Sequence, residues 1–150
     1  MHRITPFLWF DGQAEEAMHF YVSVFRNAKV LSVMPGPDGR AMSVSFELEG
    51  QAFHALNGGP EFKFTPAISL FVSCETQQEV DEVWEKLSEG GSTNQCGWLQ
   101  DRYGLSWQII PTALGRLMGD PDRAKAARVM NAMLQMKKME IAGLEQAAAG

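Results

Sequence analysis

Apolar and polar positions along the chain fall into a strand, helix, strand, strand, strand order that starts twice. Ile4 to Phe10 is a mostly apolar run that predicts a strand, closed by the turn pair Asp11-Gly12. Ala17, Phe20, Tyr21, Val24 and Phe25 then recur at helical spacing up to about Arg26. Lys29 to Met34 predicts a second strand, stopped by Pro35-Gly36-Pro37-Asp38-Gly39. Beyond it Met42, Val44, Phe46 and Leu48 alternate with Ser43, Ser45 and Glu47, so the apolar set packs on helices and the polar set takes the other face. Glu49-Gly50 turns the chain into Gln51 to Leu56, which ends at Asn57-Gly58-Gly59-Pro60.

The order then restarts. Ala67 to Ser73 predicts a strand, and Val80, Val83, Trp84 and Leu87 form a helical stripe ended by Gly90-Gly91. Cys96 to Gln100 and Leu105 to Ile110 form a hairpin around Asp101-Arg102-Tyr103-Gly104. At one constant offset Ala17, Phe20, Tyr21 and Val24 fall on Val80, Val83, Trp84 and Leu87, with the preceding strands Thr5 to Phe10 and Ala67 to Val72 shifted by one residue. The closing strands match as well, Phe53 to Leu56 against Trp107 to Ile110. The expected fold class is α+β: two βαβββ modules, about 1–60 and 61–111, forming one domain, with 112–150 as a C-terminal helical extension. In that extension Asp120-Pro121-Asp122 predicts an N-cap with proline at the first helical position, and the helix runs to about Lys138. Val129, Met130, Met133, Leu134 and Met136 lie on its apolar side and read as core packing or a subunit contact; Ile141 to Ala148 predicts a short last helix.

Composition narrows the function. Apolar residues make up 45% and charged ones 21% of the 150 residues, the profile of an ordinary globular domain rather than a disordered or fibrous chain. Eighteen acidic residues against thirteen basic give a net charge of −5 without any basic run, which excludes nucleic acid as a partner. The start MHRITPFLWFDG turns polar within about ten residues, so neither a secretory core nor a membrane span is read, and the chain is expected in the cytoplasm. Cys74 and Cys96 lack CxxC spacing and read as two reduced thiols, small buried filler. His19, beside Glu15 and Glu16, reads as a solvated helix face, and no second histidine is placed to activate Cys96 as a nucleophile.

The segment ITPFLWFDGQAEEAMHFYVSVF, the run HALNGGP and the stretch CGWLQDRYGLSWQIIP resemble the PhnB-like branch of the vicinal oxygen chelate superfamily, which includes glyoxalase I, extradiol dioxygenases and the fosfomycin and bleomycin resistance proteins. The resemblance covers about residues 4–111, and DPDRAKAARVMNAM resembles the tail of a subset of these proteins. Many relatives carry a 3-demethylubiquinone methyltransferase label, yet no strand here leads into a glycine-rich loop that could cradle a nucleotide-like methyl donor. The resemblance implies that each sheet curls into a half-cup, that two modules enclose a cavity, and that the protein forms a homodimer.

It also implies four metal-ligand positions, which carry over to Thr5, His54, Ala67 and Gln108. Alanine donates nothing and a threonine hydroxyl is a poor donor, so His54 and Gln108 are the only candidate metal ligands and no cofactor is expected. Strand parity from these positions turns Phe7, Trp9, Ala52, Leu56, Ser69, Phe71, Ser106 and Ile110 toward the cavity, together with Ser43, Ser45 and Glu47, while Phe53, Ala55 and Trp107 face the helices. The expected ligand pocket is therefore Thr5, Trp9, Ser43, Ser45, His54, Asn57 at its strand end, Ser69, Phe71 and Gln108, with His54 the candidate catalytic base. That lining suits a small, partly polar organic molecule bound without the usual metal. The alternatives are a metal-dependent glyoxalase- or dioxygenase-type enzyme using His54, and a drug-sequestering binding protein without turnover.

Overall fold

The computed structural model describes residues 1–150, which separate into two compact units, Met1–Phe64 and Thr65–Gly150. The first unit contains β1 (Phe7–Phe10), α1 (Ala14–Val24), β2 (Ala28–Pro35), β3 (Ala41–Leu48) and β4 (Gln51–Asn57). They form a mixed sheet in the order β1-β4-β3-β2, with β1 parallel to β4 and the other pairs antiparallel. Helix α1 buries Ala14, Ala17, Met18, Tyr21 and Val24, and β3 and β4 bury Val44, Phe46, Leu48, Phe53 and Ala55, the apolar half of the alternation. Met42 breaks that alternation. It is 46% exposed because it stands at the mouth of the β2–β3 hairpin, beside Gly36 of the turn. The first strand is also shorter than expected. Pro6 has no N–H to donate, so its only ladder bond is its carbonyl accepting from His54 N–H at 2.9 Å, and the strand begins at Phe7.

The second unit repeats the plan with β5 (Ser69–Cys74), α2 (Gln77–Ser88), β6 (Ser92–Thr93), β7 (Trp98–Gln100) and β8 (Ser106–Pro111), ordered β5-β8-β7-β6. Again the first and last strands run parallel and the rest antiparallel. Ala67 lies outside β5, in a turn where its N–H donates to Thr65 Oγ1 at 3.3 Å. Asp101 is only 3% exposed. It organises the hairpin: Oδ1 accepts from Tyr103 N–H at 2.8 Å and Leu105 N–H at 3.1 Å, and Oδ2 accepts from the Trp107 indole at 2.9 Å. Beneath α2 the Cys74 thiol is buried; that burial, reinforced by the Glu79 charge, pushes its pKa up to about 11 and keeps it protonated.

Three helices complete this unit: α3 (Thr112–Met118), α4 (Arg123–Leu134) and α5 (Ile141–Ala149). Two turns of α3 are too short for a clear periodic signal, which is why the sequence does not announce it. The cap of α4 is Asp122, whose carboxylate accepts from Ala124 N–H at 3.1 Å and Lys125 N–H at 3.3 Å. Pro121 therefore precedes the cap instead of opening the helix. Nor does α4 reach Lys138: the chain leaves the helix after Leu134 so that the carbonyls of Met136 and Lys137 can accept from Cys96 N–H and Gly97 N–H, each at 2.8 Å. Of the expected apolar stripe only Val129 is buried, whereas Met130 and Leu134 are exposed.

Candidate functional site

In the first unit, strand register sets two rows of side chains on the sheet face away from α1. Phe7, His54, Ser45 and Ser32 form one, and Trp9, Leu56, Ser43 and Met34 the next. In the first row His54 Nδ1 lies 3.3 Å from Ser45 Oγ, which lies 2.9 Å from Ser32 Oγ, and the Phe7 ring tilts over the imidazole at 5.5 Å between centroids. Thr5 is half-buried just before the strand.

Trp9 is held firmly. Its indole N–H donates to Gly59 O at 3.0 Å, Phe62 meets its ring edge-on at 4.9 Å, and the ring occupies the space over Gly58, where a Cβ would lie 2.2 Å from it. Substituting Gly58→Ala is expected to swing the indole out and cost about 1–2 kcal/mol, because relieving the clash means giving up the bond to Gly59 and the contact with Phe62. Tryptophan emission and chemical denaturation check this; an unshifted spectrum with an unshifted midpoint would contradict the packing. Asn57, placed in the pocket by its strand-end position, spends its amide inside the fold. Its Oδ1 accepts from Ala14 N–H at 2.8 Å and its Nδ2 donates to Ala41 O at 3.0 Å, tying the start of α1 to β3.

In the second unit, Phe71, Gln108 and Trp98 form one row and Ser69, Ser106 and Gln100 the other. Gln108 Nε2 donates to Ser69 Oγ at 3.0 Å. Phe7 pairs with His54, and Phe71 with Gln108, in the same parallel register. Equating the two pairs makes Ser69, not Ala67, the counterpart of Thr5, because each lies two residues before its phenylalanine. The sequence alignment of the repeats set these strands two residues out of this register, Thr5 on Ala67 instead of Ser69, which hid it. Ser106 is buried and its hydroxyl has no partner, a feature that strand parity did not anticipate.

A cleft of about 500 Å³ opens over this second face, walled by Phe71, Trp98, Gln108 and Ile110 of the sheet and by Leu114, Met118 and Met133 of the helices. Cys96 also lines it and is half-buried rather than core filler, in a left-handed conformation at φ 61°. Among the ligand-type positions, His54 is the one imidazole of the first unit, whereas the second offers a serine hydroxyl and an amide already bonded to each other. No group of three or more His, Cys, Asp or Glu side chains converges as a metal site would require.

A family model described as 3-demethylubiquinone-9 3-methyltransferase matches residues 2–110. The chain belongs to this PhnB-like family. A PhnB protein from Bacillus cereus that carries the family's methyltransferase label is 38% identical, with 73% of this chain and 99% of that one covered, at a TM-score of 0.68. PA1353 from Pseudomonas aeruginosa is 19% identical over 73% of this chain and 96% of its own, at 0.62. The fosfomycin resistance protein FosX from Listeria monocytogenes, crystallised with Mn(II) and sulfate, is 14% identical over 71% of this chain and 88% of its own, at 0.54. These last two show the fold alone, the paired βαβββ modules that the sequence resemblance implied. No protein of curated function matches the chain. The PhnB-like match stops short of α3, so three helices of the second unit lie beyond it.

Proposed function

We propose that this PhnB-like protein binds a small, partly polar organic molecule against an aromatic-lined sheet face, without the metal centre found elsewhere in its superfamily. The cleft on the second unit carries the reading: about 500 Å³ with Phe71 and Trp98 as walls and the Gln108 amide beside the Ser73 and Thr112 hydroxyls as polar groups matches the volume and lining of small-molecule sites. One imidazole and a set of neutral hydroxyl and amide groups do not fit a divalent ion, which wants three or four imidazole, thiolate or carboxylate donors. The family's methyltransferase label names the matching model and is not carried into this proposal as an activity. A second reading, an enzyme in which His54 acts as general base, draws on the hydrogen-bonded row His54, Ser45 and Ser32. Sequestration of a drug-like molecule without turnover would use the same cleft.

We further propose a homodimer, since Phe7 and Met34 leave the first sheet's face 58% and 55% exposed at these residues. Light scattering on the purified chain tests this. No helix is long and apolar enough to cross a membrane. A cytoplasmic location is part of the proposal, supported by two cysteines, Cys74 and Cys96, that form no disulfide. The central test is elemental mass spectrometry combined with melting curves in divalent salts, on the native chain and on His54→Ala. The expected result is no stoichiometric ion and no ion-dependent stabilisation. A stoichiometric ion lost in His54→Ala would overturn the metal-free reading.

A further inference from the structure

We infer that the C-terminal extension sets which ligand enters the second unit's cleft, and that the cleft is shaped for an uncharged, flat aromatic molecule presenting one hydrogen-bonding group to Gln108. This rests on the proposal that the second unit binds a small molecule. One wall comes from the repeated module; the other is built by Leu114, Gly115 and Met118 of α3 and by Met133 of α4. These residues lie past position 110, where the family match ends, so what they select does not follow from that match.

The lining has no Asp, Glu, Lys, Arg or His, and its one titratable group is the Cys96 thiol. An ionised ligand would therefore lose its hydration without gaining a partner. Gln108 uses one N–H on Ser69, leaving its other N–H and its carbonyl oxygen for a ligand amide or carbonyl. Two methionines beside two aromatic rings favour a flat apolar body, because thioethers adapt to its edge and rings stack on its face.

Gly115 points the same way. It lies mid-helix, where glycine is a poor choice, and its φ is not in the left-handed range. A Cβ built on it would meet nothing within 4 Å. Neither backbone conformation nor close packing calls for glycine here; what the missing side chain preserves is open space in the cleft. The extension that carries it is also fastened down. Gln77 donates to Met139 O at 2.9 Å and accepts from Ile141 N–H at 2.7 Å, Lys138 pairs with Asp81 at 2.9 Å, and Met139 is fully buried. The wall is thus a fixed template and not a loose tail.

The test uses the full chain with ¹³C-methyl methionine, titrated with 2-naphthamide and, separately, 2-naphthoate. Naphthamide should saturate with shifts at the Met118 and Met133 methyls, and naphthoate should bind at least about tenfold more weakly. Gly115→Leu should weaken naphthamide by about tenfold or more by filling the space, with an unchanged or higher melting temperature. Gly115→Ala, which adds only one methyl, should keep most of the binding. Saturable binding that leaves Met118 and Met133 unmoved, or that survives Gly115→Leu, would overturn the role of the extension while leaving the small-molecule reading intact. Absence of saturable naphthamide binding, or shifts that follow protein concentration because a second copy fills the cleft, would overturn the inference outright. Failure of the metal-free reading shows separately, as an ion lost in His54→Ala.

Discussion

Replacing Asp101 by alanine is expected to destabilise the protein by about 3 kcal/mol, equivalent to a melting point roughly 10 °C lower, because a buried acceptor of three hydrogen bonds disappears and its donors stay behind. Those donors are the N–H groups of Tyr103 and Leu105 and the indole of Trp107, all at 2.8–3.1 Å. The indole has the most to lose. Trp107 is 2% exposed and cannot turn its N–H toward water. Asp101→Asn separates shape from charge: its oxygen can still serve the two backbone groups, but its NH2 then faces the indole donor, so about half of the loss should persist. Denaturation midpoints of the three proteins measure this. Equal stability of Asp101→Ala and the native chain would remove Asp101 from its role as organiser of the hairpin. The same change also bears on the cleft, since β7 and β8, which it joins, supply Trp98 and Gln108.

The elements that were legible in the sequence are those where one physical signal dominates. The alternation Val44, Phe46 and Leu48 against Ser43, Ser45 and Glu47 is a half-buried strand written in period two, and the structure buries the predicted half. The helical stripes and the repeat were equally plain, because core burial demands the same apolar positions in both modules. What stayed hidden depends on where a backbone group finds its partner. Nothing in RVMNAMLQMKK shows that the helix must stop at Leu134 so that Met136 and Lys137 can serve Cys96 and Gly97. Asp101 looked like an ordinary turn residue, since its buried state arises only when Trp107 folds over it. Among the candidate site residues, parity placed Trp9, Ser43, Ser45 and His54 on one face and Ser69, Phe71 and Gln108 on another. It could not find the cleft's second wall, because α3 is too short to signal itself and the methionines of α4 match a core pattern.

Gly97→Ala should be as damaging as Asp101→Ala, and for a reason that contrasts with Gly115. At Gly97 the backbone is left-handed, with φ 82°, and an added Cβ would lie 2.8 Å from Ile110 Cδ1, 2.9 Å from Ile109 O and 3.2 Å from Met139 Cγ. The carbonyl cannot swing aside. Ile109 N–H donates to Gly97 O at 2.8 Å, so the two residues are already stitched together. Left-handed strain of about 1–2 kcal/mol adds to a clash against backbone, for a total near 3 kcal/mol. The neighbouring bonds from Cys96 and Gly97 to Met136 and Lys137 should loosen first, since relief of the clash requires the Cys96-Gly97 turn to move away from Met139. Hydrogen exchange should therefore show lost protection at Cys96 and Gly97 and in Ile141, whose N–H is held by Gln77 beside the same docked segment, ahead of the central strand β8. An exchange pattern like that of the native chain, with an unchanged midpoint, would mean that the extension is not anchored at this glycine. Release of the segment would also set Met133 free from the cleft wall, so naphthamide affinity should fall in Gly97→Ala through disorder, whereas in Gly115→Leu it falls through filling with the fold intact.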